Sequence, residues 1–103
     1  MMPKNREPTH PGEMLLKEFL EPMGISQKEF SQHVGWTYAR LNEIVKKHRG
    51  ITEDSALSLA EAFQMEPEFW LNLQRDWNLW HIRKKHVRVK PLKIKLQLRE
   101  KFA

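Results

Sequence analysis

No cysteine occurs among the 103 residues. That single absence removes disulfide frameworks, zinc-thiolate sites and thiol nucleophiles together, and it fits a reducing compartment. Long apolar runs are missing as well: no stretch approaches the roughly eighteen consecutive apolar residues of a membrane span. The opening MMPKNREPTHPGE has no apolar segment of the kind a signal or transit peptide needs, so the chain is expected in the cytoplasm, with no membrane partner. No internal repeat and no low-complexity linker divides it. The five histidines, His10, His33, His48, His81 and His86, lack metal-ligand spacing, and no serine or lysine stands in a nucleophile context. Neither catalytic residues, nor a metal, nor a cofactor is expected.

Acid is nearly missing from one end. Residues 81–103 carry nine Lys/Arg against one Asp/Glu, or +8, whereas residues 1–80 carry nine against twelve, or −3. The overall charge of +5 therefore describes the tail and not the body. Within residues 35–50, Arg40, Lys46, Lys47 and Arg49 outnumber Glu43, a local positive patch that suits either nucleic acid or an ordinary solvated helix face.

What is present, 40% hydrophobic and 30% charged residues, suffices for one modest core. Pro11 and Gly12 introduce a helix whose stripe is Met14, Leu15, Phe19 and Leu20, and Glu21-Pro22 is expected to end it. Ser26-Gln27-Lys28-Glu29 forms a capping box for a second helix that buries Phe30 and Val34. Gly35 supplies a left-handed turn, and Thr37 caps a third helix with Leu41, Ile44 and Val45 inward, ending by Gly50. Thr52, Glu53 and Asp54 open a fourth helix whose apolar content is Ala56, Leu57, Leu59, Ala60 and Phe63. Pro67 opens a fifth, along which Phe69, Trp70, Leu73, Trp77 and Trp80 mark one broad face. Trp70 reads as core; Trp77 and Trp80, late in the helix, read as interface candidates.

The tail changes period. VRVKPLKIKLQL alternates apolar residues at Val87 and Val89, then at Leu92, Ile94, Leu96 and Leu98. A lone strand after five helices has no sheet to join, so Leu92, Ile94, Leu96 and Leu98 become candidates for pairing with the same strand of a second copy. The alternative is an unstructured basic tail whose lysines guard against aggregation.

The second and third helices are separated by little more than Gly35 and Trp36, the arrangement of a helix-turn-helix, in which the second helix enters the major groove. At about 100° per residue, the face opposite the core carries Ala39, Asn42, Glu43 and Lys46. Arg40 and Lys47 flank it, and Thr37 and Tyr38 lie at its N-terminal end. Gln27, Lys46, Lys47 and Arg49 are candidates for phosphate contacts. Arg40 suits guanine or phosphate, Asn42 adenine, Glu43 cytosine and Ala39 a thymine methyl.

With these elements in place, SQKEFSQHVGWTYARLNEIV resembles an all-α, five-helix domain of the lambda-repressor or Xre type. HPGEMLLKEFLEPMGISQKEF, KKHRGITEDSALSLAEAF and MEPEFWLNLQRDWNLW resemble, in order, the opening, middle and fifth helix of one branch, the HigA antitoxins, also described as virulence-associated protein I-like. Together they cover residues 10–80. The resemblance implies a homodimer that binds palindromic operator DNA in its own promoter and neutralises a HigB toxin of the RelE-like messenger-RNA endonuclease class. It carries operator reading to Thr37, Tyr38, Ala39, Arg40 and Glu43, with Gln27 on phosphate. The basic extension, residues 81–103, lies outside the match. RelE-like toxins are themselves basic, so that extension is expected to serve dimerisation or DNA backbone contact. A regulator of the same fold without a toxin partner, and a basic RNA-binding protein that uses the tail, are the rival readings.

Overall fold

The computed structural model describes residues 6–93, in which all regular structure is helical. The first helix, α1, runs from Pro11–Met14 through a π-helical stretch, Leu15–Leu20, into Glu21–Met23. The others are α2 (Gln27–Val34), α3 (Tyr38–Val45), α4 (Glu53–Phe63) and α5 (Pro67–Arg83). Five helices in the expected order are present.

Helix α1 passes through Pro22 instead of stopping at it. A proline ring inside a helix collides with the carbonyl four residues earlier, here that of Glu18. The π-helical turn shifts this region to longer pairing, with the Glu21 N–H donating to the Leu16 carbonyl, so the usual register is already relaxed where the ring sits. The helix ends at Gly24, left-handed at φ 69°, where the Ile25 N–H reaches back 3.0 Å to the Leu20 carbonyl.

Leu15, Leu20, Phe30, Leu41, Ile44, Ile51, Ala56, Leu59 and Trp70 form the buried centre. Phe30 stacks on Phe63 at 5.4 Å between ring centres, and Phe19 closes against Phe63 at 4.6 Å and Trp70 at 5.1 Å. Each large side chain so buried contributes on the order of 1.5–3 kcal/mol. Val34 and Phe63 pack against this cluster only partly buried. Leu57, part of the apolar content of α4, does not join it: it faces solvent, 52% exposed.

Helix α5 runs three residues past Trp80, to Arg83. Beyond it, residues 86–93 have no regular structure, and Val87, Val89 and Leu92 are exposed. No strand forms among the described residues, since the single chain offers that segment no edge to pair with. Ile94, Leu96 and Leu98 of the expected strand lie outside the described residues.

Candidate nucleic-acid interface

The capping box of α2 forms as its spacing requires. Ser26 Oγ accepts from the Glu29 N–H at 3.0 Å, and Glu29 Oε1 accepts from the Ser26 N–H at 3.2 Å. At the other end, Gly35 is left-handed at φ 76°, and the Trp36 N–H turns back to the Ser31 carbonyl at 2.9 Å. Trp36 then folds edge-on against Phe30, with ring centres 6.3 Å apart. Thr37 Oγ1 accepts from the Arg40 N–H at 3.1 Å and starts α3 at once.

Leu41 and Ile44 are fully buried and Val45 is half-buried, which fixes the rotation of α3. Thr37, Tyr38, Ala39, Glu43 and Lys46 are accordingly exposed, Tyr38 by 53%. Asn42 is half-buried because its Nδ2 donates to Gln27 Oε1 at 3.1 Å. This bond joins the start of α2 to the middle of α3 and brings two sequence-predicted site residues together. Each amide keeps a free end for an outside partner. Glu43 is held by Arg49, whose Nη2 lies 2.8 Å and Nε 3.0 Å from Glu43 Oε1. A bare carboxylate would repel phosphates, and Arg49 supplies its counter-charge.

Two of the predicted cations turn back toward the body. The Arg40 guanidinium lies 4.5 Å from the centre of the Trp36 ring, and its Nη2 donates to Ser55 Oγ at 2.7 Å. Ser55 is buried near the start of α4, where its own N–H is held by Thr52 Oγ1 at 3.2 Å. Arg40 thus ties α3 to α4. Lys47 leaves the end of α3 in the left-handed region at φ 68° and pairs with Glu13 of α1 at 3.1 Å. Lys46, the residue just past the end of α3, is exposed and takes part in none of these pairs.

The sequence marked Pro11 and Gly12 as the opening of α1 and Trp77 as an interface candidate, but not their part in seating the C-terminal end of α3. A side chain on Gly12 would place its Cβ 1.8 Å from the Ile44 carbonyl oxygen and 3.0 Å from Val45 Cα, so α1 and α3 touch backbone to backbone. His10 caps α1, its Nδ1 accepting the Gly12 N–H at 2.9 Å, and Pro11 occupies the first helical position. Trp77 of α5 stands edge-on to the His10 ring at 4.8 Å. Burial, aided by nearby Lys47, pushes the His10 imidazole down to about 4. The sequence signal was glycine in the first turn of a helix, where it is unfavourable unless another backbone approaches closely.

Trp77 is therefore packed within the chain, and Trp80 is half-buried with Lys84 Nζ 5.0 Å from its ring. Neither is a bare aromatic surface. Trp70 is fully buried. Among the described residues no group of three or more His, Asp or Glu is placed to hold a metal ion, and no helix is long and apolar enough to cross a membrane.

This architecture has known relatives. The helix-turn-helix family matches residues 16–70. The chain is 43% identical over 77 residues to virulence-associated protein I of Dichelobacter nodosus, covering 74% of this chain and 71% of that one. To antitoxin HigA-1 of Vibrio cholerae serotype O1 it is 37% identical over 102 residues, covering 94% of this chain and 95% of the relative. Pseudomonas aeruginosa antitoxin HigA, solved with the higBA promoter, superposes with a TM-score of 0.76 at 32% identity, over 84% of this chain and 99% of that one. An exposed α3 ridge on an Xre-type five-helix body, with relatives of this identity and coverage, places the chain in the HigA antitoxin family of helix-turn-helix proteins.

Proposed function

We propose that this protein is an operator-binding antitoxin, a homodimer that occupies palindromic DNA in its own promoter and binds a HigB-type toxin. The observation that carries the DNA reading is the open N-terminal end of α3: Thr37, Tyr38 and Ala39 are exposed on a ridge whose angle is set by Gly35 and Trp36. Tyr38 offers a ring and a hydroxyl, Ala39 a methyl contact, and Asn42 an amide oriented by Gln27. Gln27 and Lys46 serve phosphate, and the residues at the start of α2 lend their free backbone amides. Glu43 reads a base donor while Arg49 shields it from the backbone. Arg40, on Trp36 and Ser55, positions the reading helix. A dimer follows from the two-fold symmetry of a palindrome. The toxin reading is supported by family membership and by the antitoxin name of the Vibrio relative.

The test compares binding to the gene's own upstream DNA with binding to scrambled DNA across a salt series, for the intact chain and a Tyr38→Ala/Asn42→Ala variant. The expected result is loss of discrimination with scrambled binding retained, since base contacts specify and phosphate contacts do not. Undiminished discrimination in the variant contradicts the assignment. For the toxin, co-expression with a neighbouring small basic gene product is expected to yield a stable complex; a protein that binds the operator but captures no such product is a regulator alone.

A further inference from the structure

A cavity of about 430 Å³ opens where the ends of α1 and α4 meet one face of α2. Its apolar floor is Ile25, Phe30, Ala62 and Phe63, with the Phe30 and Phe63 rings stacked at 5.4 Å. Met23, 55% exposed, stands at the rim together with Glu29 and His33, both exposed and one helical turn apart on α2. A pocket of this size, apolar with a few polar groups gathered at one side, suits a small organic molecule.

The fixed charge around this cavity is negative. Glu29 Oε1 serves the capping box, accepting the Ser26 N–H at 3.2 Å, while its Oε2 has no partner among the described residues. Met23 is the last residue of α1 and Phe63 the last of α4, so two helix C-termini border the same space. A helix C-terminus carries roughly half a negative charge, and neither of these last turns holds a basic residue to offset it. No lysine or arginine lines the cavity either. In its neutral form the His33 ring adds an acceptor nitrogen beside the carboxylate. Negative potential over an apolar floor selects a cation with an apolar body and repels an anion of the same shape.

We propose that this cavity is a binding site for a small amphipathic cation, a primary ammonium carried on an aromatic body. The aromatic body rests on Phe30, Ala62 and Phe63, and the ammonium, with three donors, meets the acceptors that Glu29 and His33 present. The Phe30 ring also meets Trp36 edge-on at 6.3 Å, so an occupant lies one side chain away from the turn that sets the angle of α3. The site does not depend on operator reading, because it uses none of the exposed α3 residues.

The test is calorimetry on the full chain, at mildly alkaline pH and low salt, with three probes of one shape: tryptamine, the neutral tryptophol and the anionic indole-3-propionate. Tryptamine is expected to bind about tenfold more tightly than tryptophol, the gain of one charge-assisted contact, and indole-3-propionate is expected to show no measurable binding. Glu29→Gln keeps the capping box, because a glutamine amide oxygen serves there as well. It is expected to bring tryptamine down to the tryptophol level while leaving tryptophol unchanged. Ala62→Phe fills the floor from a half-buried position on α4 and is expected to abolish binding of both. Amide NMR spectra verify the fold of each variant, and tryptamine is expected to shift chiefly the residues that line the cavity. Equal affinity for tryptamine and tryptophol, or a tryptamine affinity indifferent to Glu29→Gln, overturns the proposal and leaves the floor to an apolar side chain of a partner protein. Amide shifts centred elsewhere, or no binding of tryptamine at millimolar concentration, overturn the site itself.

Discussion

The two ends of α3 are built in opposite ways. At the N-terminal end Thr37, Tyr38 and Ala39 stand in solvent and touch little. At the C-terminal end the Ile44 carbonyl abuts Gly12, Lys47 is paired with Glu13, and Trp77 covers the His10 cap behind them. One end is free to meet a ligand, and the other is fixed to the body in three places. A reading ridge needs both properties, because its exposed tip is only as well aimed as its base is held.

Breaking the fixed end should have the largest effect. Gly12→Ala drives a methyl group into the Ile44 backbone, and neither α1 nor α3 can move without disturbing the buried Leu15 and Leu41. A loss of about 3 kcal/mol or more is expected in urea unfolding, at the upper end for overpacking. Acid should loosen the same end next. The folded-state pKa of His10 is lowered from 6.5 to about 4, so the native state binds fewer protons than the unfolded chain. The stabilisation is full above pH 6.5 and is lost as pH falls from 6.5 toward 4, by roughly 3 kcal/mol at most. Stability measured over that range should lose this component in a His10→Asn variant.

Arg40 lies between the two ends, with its stem on the ridge and its head on Ser55. Arg40→Ala is expected to cost about 1–2 kcal/mol of stability by losing a charge-assisted hydrogen bond and a cation-π contact. A pure reading residue would leave stability unchanged. The smallest effect belongs to the half-exposed Glu43–Arg49 pair, for which a double-mutant cycle should give at most about 0.5 kcal/mol of coupling in folding. The same cycle measured on upstream DNA should show greater coupling, because phosphates nearby make an unshielded Glu43 costly.

How much of this was legible in the sequence follows from the range of each interaction. Ser26 with Glu29, Gly35, Thr37 and Pro67 act within a turn of themselves, and the helices they delimit stand where their spacing put them. Leu41 and Ile44 were readable as core because period alone fixes a helix face. Gly12 was quoted in a motif without its reason being visible, since its partner, Ile44, lies 32 residues away and only packing brings them together. Angular position placed Arg40 on the flank of the α3 face; its contacts to Trp36 and Ser55 depend on packing, which no wheel projection shows. Pro22 misled because a proline usually marks an end, and the π-helical turn that accommodates it leaves no sequence signal. Leu57 shows that apolar identity alone does not decide burial.

The measurement that tests the account most directly is paired unfolding and DNA-binding data on two variants, Tyr38→Ala at the open end and Glu13→Ala at the fixed end. Tyr38→Ala is expected to leave stability within about 0.5 kcal/mol while costing roughly 1–3 kcal/mol of preference for upstream over scrambled DNA. Glu13→Ala is expected to lower stability by at most about 1 kcal/mol and to leave the preference for upstream over scrambled DNA unchanged, since it frees Lys47 for phosphate without touching the open end. If Tyr38→Ala keeps its preference, or if Glu13→Ala alters sequence choice as much as Tyr38→Ala does, the division of α3 into a reading end and an anchored end is contradicted.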